Sequence, residues 1–252
     1  MPRFFVEKAA VGEREICLTG EDAHHVARSL RMAVGDTLTV CDGEGRDYSC
    51  RISSFEEDRR VFLEILSEER AAGEPPCHIR LFQALPKGDK LETVIQKAVE
   101  CGASAIIPFE SERCVVRVKA EAEGRKTERR QRIAEEAAKQ CGRGRLPTVR
   151  QTVGFSEMLR LAGESDVCLF CYEGEGTRSL ASVLSENRDL LSQGCSVSVI
   201  VGSEGGFAPA EAEAARAAGF YAVGLGPRIL RTETAPVFAL SCLAFATELG
   251  EF

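Results

Sequence analysis

SVSVIVGSEGGFAPAEAEAARAAGFYAVGLG, residues 196–226, holds the reading that decides the fold. Its two ends, SVSVIVG and YAVGLG, are short apolar runs of the length expected for buried strands. Between them Pro209 opens a helix and Gly219 closes it, the usual asymmetry of helix ends. Strand, helix and strand in that order make a crossover unit, and such units build parallel sheets covered on both faces. The chain is therefore predicted to be an α/β protein.

The alternation extends N-terminally. IRLFQAL (79–85), SAIIPFES (104–111) and DVCLFCY (166–172) read as further strands. After the first, Asp89 is expected to cap a helix with Glu92 at the capping-box position, and Leu91, Val94, Ile95, Ala98 and Val99 form its buried stripe. TERRQRIAEEAAKQCG (127–142) is predicted as a helix with Ile133, Ala137 and Cys141 inward and Gly142 at its end. A final helix spans about Thr234 to Leu249. The first seventy residues differ in texture. DTLTVCDGEGRDYSCRISSF (36–55) reads as a hairpin around a glycine turn, RVFLEILSE (60–68) adds a strand, and GEDAHHVARSLRM (20–32) is a short helix. SEERAAGEPP (67–76), charged, small and ending in two prolines, is the predicted linker. The expected organisation is thus a β-rich domain over 1–72 and an α/β domain over 73–252.

Composition narrows the function classes. With 252 residues, 44% of them apolar and 28% charged, the chain can bury a large core. It contains no apolar run long enough to span a membrane, and MPRFFVEKAAVGERE lacks the apolar stretch of a signal peptide. The cytoplasm is the expected compartment. The net charge is −7, yet residues 112–150 carry twelve Lys/Arg against six Asp/Glu, a local +6 that leaves −13 for the remainder. That segment is either the footprint of an anionic partner or a solvated helix face. Eleven cysteines show no metal-site spacing, and the one C-x-x-C pair, Cys168 and Cys171, falls on a strand where an offset of three places the thiols on opposite faces. Inert thiols are expected, and no metal.

Ligands of such sheets sit at the carboxyl ends of the strands, where four loops fall: LPKGDK (85–90), YEGEGTRS (172–179), GSEGGF (202–207) and LGPRILRTETAP (225–236). GSEGG has neither the G-x-G-x-x-G dinucleotide spacing nor a following G-K-[ST]. Glu204 would repel a phosphate. The loop suits a ligand held through backbone groups that is neutral or cationic near the carboxylate; S-adenosylmethionine, with its sulfonium and no phosphate, fits, while a simple turn with Glu204 in water remains the alternative. In the last loop, helix capping accounts for Thr232, Glu233 and Thr234. It does not account for Arg228 and Arg231, which the helix dipole disfavours there.

Taken with RFFV (3–6), HHVARSLRMAVGD (24–36), ALPKGDKLETVIQKAVECGASAIIPFESERC (84–114) and AKQCGRGRLP (138–147), these loops make the chain resemble, end to end, the RsmE type of ribosomal RNA methyltransferases in the SPOUT superfamily. The resemblance implies a small PUA-like β-barrel followed by a SPOUT α/β domain with a trefoil knot. It implies transfer of a methyl group from S-adenosylmethionine to N3 of one uridine in 16S rRNA, within the small ribosomal subunit, by a homodimer. Carried over by position, the cofactor residues are Leu169 and Tyr172, then Val201, Gly202, Glu204, Gly205 and Gly206, then Leu225, Gly226, Ile229, Leu230, Thr232, Thr234 and Ala235. Ser203 stands where the family usually has proline, so an altered loop rigidity is expected.

The N3–H of uridine is a weak acid, so the reaction needs a base and fixed donors for the developing anion. Arg231 is expected to supply the charge stabilisation, with Arg228 competing for that task, and Glu233 or Glu204 to act as base. RNA contacts are expected from Arg28 and Arg31, from Lys87 and Lys90, from Arg143 and Arg145, and from Arg228. His24 and His25 read as packing or RNA-contact residues. The alternatives are a SPOUT enzyme acting on another atom such as a ribose 2′-OH, a non-catalytic RNA-binding assembly factor, and a nucleotide-binding oxidoreductase, the last disfavoured by the missing dinucleotide fingerprint.

Overall fold

A computed structural model of the chain describes residues 1–56, 59–118 and 120–249. They sort into two units: Met1–Glu74 with Ala138–Leu146, and Pro75–Ala137 with residues 147 onward.

In the first unit β1 (Arg3–Phe5), β2 (Glu15–Thr19), β3 (Thr37–Cys41), β4 (Arg46–Glu56) and β5 (Arg60–Arg70) form one sheet in the order β1-β3-β4-β5-β2. Helix α1 (Gly20–His24) runs on as a π-turn over His25–Ser29. Alternate residues point to a common core: Ile16 and Leu18, Leu38 and Val40, Cys50 and Ile52, Val61 and Leu63, with Phe4, Ala23 and Val26. The predicted hairpin is present, with Val40 opposite Tyr48. Asp42 Oδ1 accepts the amides of Glu44 (2.8 Å) and Arg46 (3.1 Å) to close its turn. The predicted linker begins too early. Ser67–Arg70 continue β5 and stay paired with Arg46–Ser49.

The segment 138–146 completes this unit. No residue with a side chain fits at Gly144, because a Cβ there would lie 2.1 Å from Ala71 Cβ. The close approach lets the Gly45 amide donate to the Gly144 carbonyl at 3.1 Å. Arg143 is 3% exposed and donates from Nε and Nη2 to the two oxygens of Glu74, both at 2.9 Å. Glu74 Oε1 also accepts the amides of Gly144 and Arg145.

The second unit contains β6 (His78–Ala84), α2 (Lys90–Glu100), β7 (Ala103–Glu110), α3 (Ala120–Cys141, whose last turn counts with the first unit), β8 (Thr148–Val149), β9 (Val153–Gly154), α4 (Phe155–Ala162), β10 (Val167–Cys171), β11 (Arg178–Ser179), α5 (Leu180–Glu186), α6 (Arg188–Ser192), β12 (Ser196–Val201), α7 (Pro209–Ala217), β13 (Tyr221–Gly224) and α8 (Ala235–Ala244), which ends in a π-turn over Phe245–Leu249. The sheet order is β11-β13-β10-β12-β6-β7-β8, with β9 also on β7, and every pairing is parallel. After β6 the chain moves to β7 on one side; after β12 it moves to β13 on the other. The switch point, where ligands of open α/β sheets bind, therefore lies between β6 and β12.

Local expectations meet two corrections. Asp89 stands at the N-cap of α2 but makes no side-chain cap bond, and Glu92 pairs with Arg129 at 2.9 Å instead of closing a capping box. The buried stripe of α3 centres on Ala134, Ala137 and Ala138 rather than on Ile133 and Cys141. The buried Glu123–Arg130 pair (3.2 Å) shares that face, and Glu123 Oε1 accepts the amide and hydroxyl of Thr152 at 2.9 and 2.6 Å. Burial raises the Cys168 thiol to about 11 and that of Cys171 to about 12, so neither is a thiolate at neutral pH. No helix among the described residues is long and apolar enough to cross a membrane.

Candidate functional site

At the carboxyl ends of β10, β12 and β13 the second unit opens a cleft of about 790 Å³. Its walls are the three expected loops: Tyr172, Gly174 and Thr177 from the first, Val201–Phe207 from the second, and Leu225–Thr232 with Ala235 from the third. Of the expected cofactor residues, Tyr172, Val201, Gly202, Glu204, Gly205, Gly206, Leu225, Gly226, Ile229, Leu230, Thr232 and Ala235 line it. Two do not. Leu169 is fully buried within the sheet, because the strand exposes only its last residues at the cleft. Thr234 occupies the N-cap position of α8, where its amide donates to the Arg231 carbonyl at 2.8 Å.

The glycines of GSEGG follow from close packing. A Cβ on Gly202 would lie 3.1 Å from the Phe207 ring and 3.3 Å from the Gly206 backbone, and one on Gly205 would press 3.0 Å from Arg113 Cβ. Phe207 is the anchor beneath the loop. It is buried against Phe170 at 4.2 Å and stacks parallel to Phe109 at 6.2 Å between centroids. Arg113 donates from Nη1 to the Gly205 carbonyl at 3.1 Å and itself lines the cleft.

Gln83 and Thr232 lock the floor. The Thr232 hydroxyl donates to the Gly202 carbonyl at 2.7 Å, and Gln83 Nε2 donates to Thr232 Oγ1 at 3.0 Å and to the Gly202 carbonyl at 3.3 Å. Both side chains are buried. Three chain segments, from β6, β12 and the loop before α8, thus meet at the switch point. Sequence reasoning had not named Gln83, Arg113 or Phe207. Gln83 carried a signal, a lone amide in the apolar run IRLFQAL; Arg113, on an exposed loop, carried none.

The charged residues divide into paired and unpaired groups. Lys90 Nζ lies 2.9 Å from Glu204 Oε1 and 3.4 Å from Glu233 Oε2, and Glu204 Oε1 also accepts the Lys87 amide at 3.1 Å. Burial opposes ionisation of Glu204, but the bonds from Lys90 and from backbone amides outweigh it and hold its carboxyl below the ordinary range. The bond to Glu204 raises the Lys90 ammonium. Lys90, expected to contact RNA, is therefore engaged by carboxylates. Arg228 and Arg231 line the cleft exposed, and their guanidinium groups have no hydrogen-bond or ion-pair partner among the described residues.

In the first unit Arg28, Arg31 and Arg145 are exposed, Arg31 with a left-handed backbone (φ 52°), a conformation uncommon outside glycine. Arg145 donates to the Glu44 carbonyl at 3.2 Å. Arg143 is corrected: its guanidinium is buried against Glu74 and offers no surface to RNA. His24 and His25 are both exposed, and His25 meets Phe4 edge-on at 6.1 Å. Lys87 is exposed beside the cleft residue Glu204.

The chain is similar to known proteins along its length. Residues 73–244 match the RNA methyltransferase domain and residues 18–66 the RNA methyltransferase PUA domain. Ribosomal RNA small subunit methyltransferase E of Bacillus subtilis is 37% identical over 254 residues, covering 99% of this chain and 98% of that relative. The chain belongs to the ribosomal RNA small subunit methyltransferase E family. A second family member, from Synechocystis, is 33% identical over 95% of this chain and 76% of its own length. The crystal structure of the Neisseria gonorrhoeae methyltransferase E, bound to S-adenosyl methionine, superposes with a TM-score of 0.83 at 32% identity, covering 97% of each chain. As an RNA methyltransferase of this family the chain combines a PUA-type domain with an α/β domain on a parallel sheet.

Proposed function

We propose that the chain transfers the methyl group of S-adenosylmethionine to N3 of one uridine in 16S rRNA, acting in the cytoplasm on the small ribosomal subunit. One observation carries this reading: the loops after β10, β12 and β13 converge beside the switch point on a single cleft that holds a carboxylate, glycine turns and two arginines whose guanidinium groups have no partner among the described residues. The residues fit the cofactor. A Cβ on Gly202 or Gly205 would press at 3.1 or 3.0 Å on its neighbours, so the loop presents backbone to a ligand there, and the hydroxyl of Ser203, 7% exposed, has no hydrogen-bond partner among the described residues. When bound, the cofactor supplies an electrophilic methyl group on a positive sulfur.

The chain's own residues do the rest. Arg231 stabilises the negative charge that spreads over the uracil oxygens as the N3 proton leaves, a preorganised donor of the kind that often supplies the largest catalytic effect. Arg228 holds the RNA backbone at the rim. Lys90 and two amides stabilise the ionised form of Glu204 and make it a poor base; Glu233, 3.4 Å from Lys90 and next to the cleft residue Thr232 rather than on the wall itself, is the base. Arg28, Arg31, Lys87 and Arg145 contact phosphates.

The associated fold reading is a PUA-like β-barrel and a SPOUT domain with a trefoil knot. Supporting the knot, buried Thr232 is tucked between the ends of β6 and β12. Supporting a homodimer, α8 is apolar but for Ser241 and leaves Phe238, Phe245 of the following π-turn and Leu249 exposed. The test is ribosomal RNA from a deletion strain, treated in vitro with the protein and isotopically labelled cofactor and then digested to nucleosides. A single labelled N3-methyluridine is expected; label on a ribose oxygen, or none, overturns the reading.

A further inference from the structure

Lys90 is the first residue of α2, reached by the loop after β6. Its ammonium joins two carboxylates from different loops, Glu204 after β12 and Glu233 before α8. The three side chains are 33%, 31% and 25% exposed. Their charges are therefore less screened than those of a fully solvated pair. Two carboxylates and one ammonium leave a single local negative charge, and Lys90 and Glu204 both line the cleft.

We infer that Lys90 is a positioning residue that sets this local charge, and that the Glu204–Lys90–Glu233 bridge governs how strongly the cleft prefers a cationic methyl donor over its neutral, demethylated product. This rests on the proposed function. Donor and product differ at the reacting centre by one methyl group and one positive charge. Any change of charge in the bridge therefore alters their relative affinity in a direction fixed by Coulomb's law, whatever the other groups of the cleft do. Those other groups, Glu173, Arg113, Arg228 and Arg231, are common to every variant below and drop out of the comparison. Lys90 also limits the preference. Without it two carboxylates would hold the donor more strongly, and the bridge would no longer tie the GSEGG loop to the loop before α8. With it, loss of the positive charge on methyl transfer still removes an attraction, which favours exchange of product for fresh donor.

The experiment is calorimetric titration of the full-length protein with S-adenosylmethionine and with S-adenosylhomocysteine, for the wild type and for K90M, E204Q and E233Q. The ratio of donor to product affinity should rise at least threefold in K90M and fall at least threefold in E204Q and E233Q. A purely structural role would weaken both ligands together and leave the ratio unmoved. Ratios that stay within twofold of wild type, or that move the same way in K90M and E204Q, overturn the inference while leaving cofactor binding intact. A wild type that binds neither ligand overturns the cofactor reading and this inference with it. Should K90M fail to fold, the two glutamine variants carry the test alone.

Discussion

The Thr232 hydroxyl donates to the Gly202 carbonyl across 2.7 Å, and the same oxygen accepts the Gln83 amide at 3.0 Å. One buried side chain thus fastens the loop before α8 to the ends of two neighbouring strands. Thr232→Val keeps the volume but leaves the Gly202 carbonyl with one donor fewer and removes an acceptor from Gln83. An unpaired buried polar group costs about 1–3 kcal/mol. The expected outcome is a loss of about 2 kcal/mol in chemical denaturation, with cofactor affinity reduced at least tenfold by calorimetry.

The glycines of the cofactor loop should differ in what they tolerate. Gly202→Ala drives a methyl group into the Phe207 ring and the Gly206 backbone, so the loop must move and cofactor binding should be lost. Gly206 has open space around it but a φ of 64°. An alanine there costs roughly 1 kcal/mol of backbone strain, and binding should survive with a modest loss. Equal effects of the two substitutions would contradict the packing described here.

The Arg231 guanidinium has no partner among the described residues, so Arg231→Ala should leave the melting temperature and donor affinity near wild type. Methylation should fall roughly 10²–10³-fold, the size reported by removal of a preorganised donor. Arg228→Ala should instead weaken RNA binding and reduce its salt dependence, with turnover at saturating RNA retained. Single-turnover assays with both variants separate the two roles.

Arg143 makes the opposite prediction. Removing one member of a buried ion pair costs about 3–5 kcal/mol, and the guanidinium is 3% exposed against Glu74. Arg143→Ala should destabilise the first unit by that order in urea denaturation, whereas Arg145→Ala, at an exposed position, should change stability by less than about 0.5 kcal/mol.

The bridge at Lys90 fixes a pH window. Glu204 is depressed on folding, so its contribution is complete above the ordinary carboxylate range and is lost as pH falls through the lower folded value. Lys90 is raised, so its contribution is complete below the ordinary lysine range and is lost only as pH rises beyond it. Donor affinity should therefore be flat from about pH 6 to 9. A methylation rate that climbs across that range would report ionisation of the uridine N3–H rather than of Glu204. A step in donor affinity near pH 7 would contradict the assignment.

Much of the α/β unit was legible because its strands are apolar and its helices carry a 3.6-residue period: β10, β12 and β13 fall within the predicted runs, and β6 and β7 begin one residue before theirs. The cleft was legible through glycines and charges that turns and caps leave unexplained. What stayed hidden depends on contacts between residues distant in sequence. Lys90 reads as a free cation until Glu204 and Glu233, more than a hundred residues away, are brought to it. Arg143 sits in a glycine-flanked basic stretch that looks like a mobile RNA-binding loop, and only the fold supplies the half-buried Glu74. The short helices α4 to α6 lacked a period long enough to read.

The first unit also has an unusual assembly history. Its strands are synthesised by residue 74, but the strap that carries Arg143 to Glu74 belongs to Ala138–Leu146. At ordinary translation speeds of about 5–20 residues per second, the strap emerges several seconds after the sheet it completes. During that interval the Glu74 carboxylate lacks its guanidinium. The maturation of the amino-terminal unit is thus timed by the middle of the chain, and a fragment ending at residue 74 should behave as an incomplete folding unit.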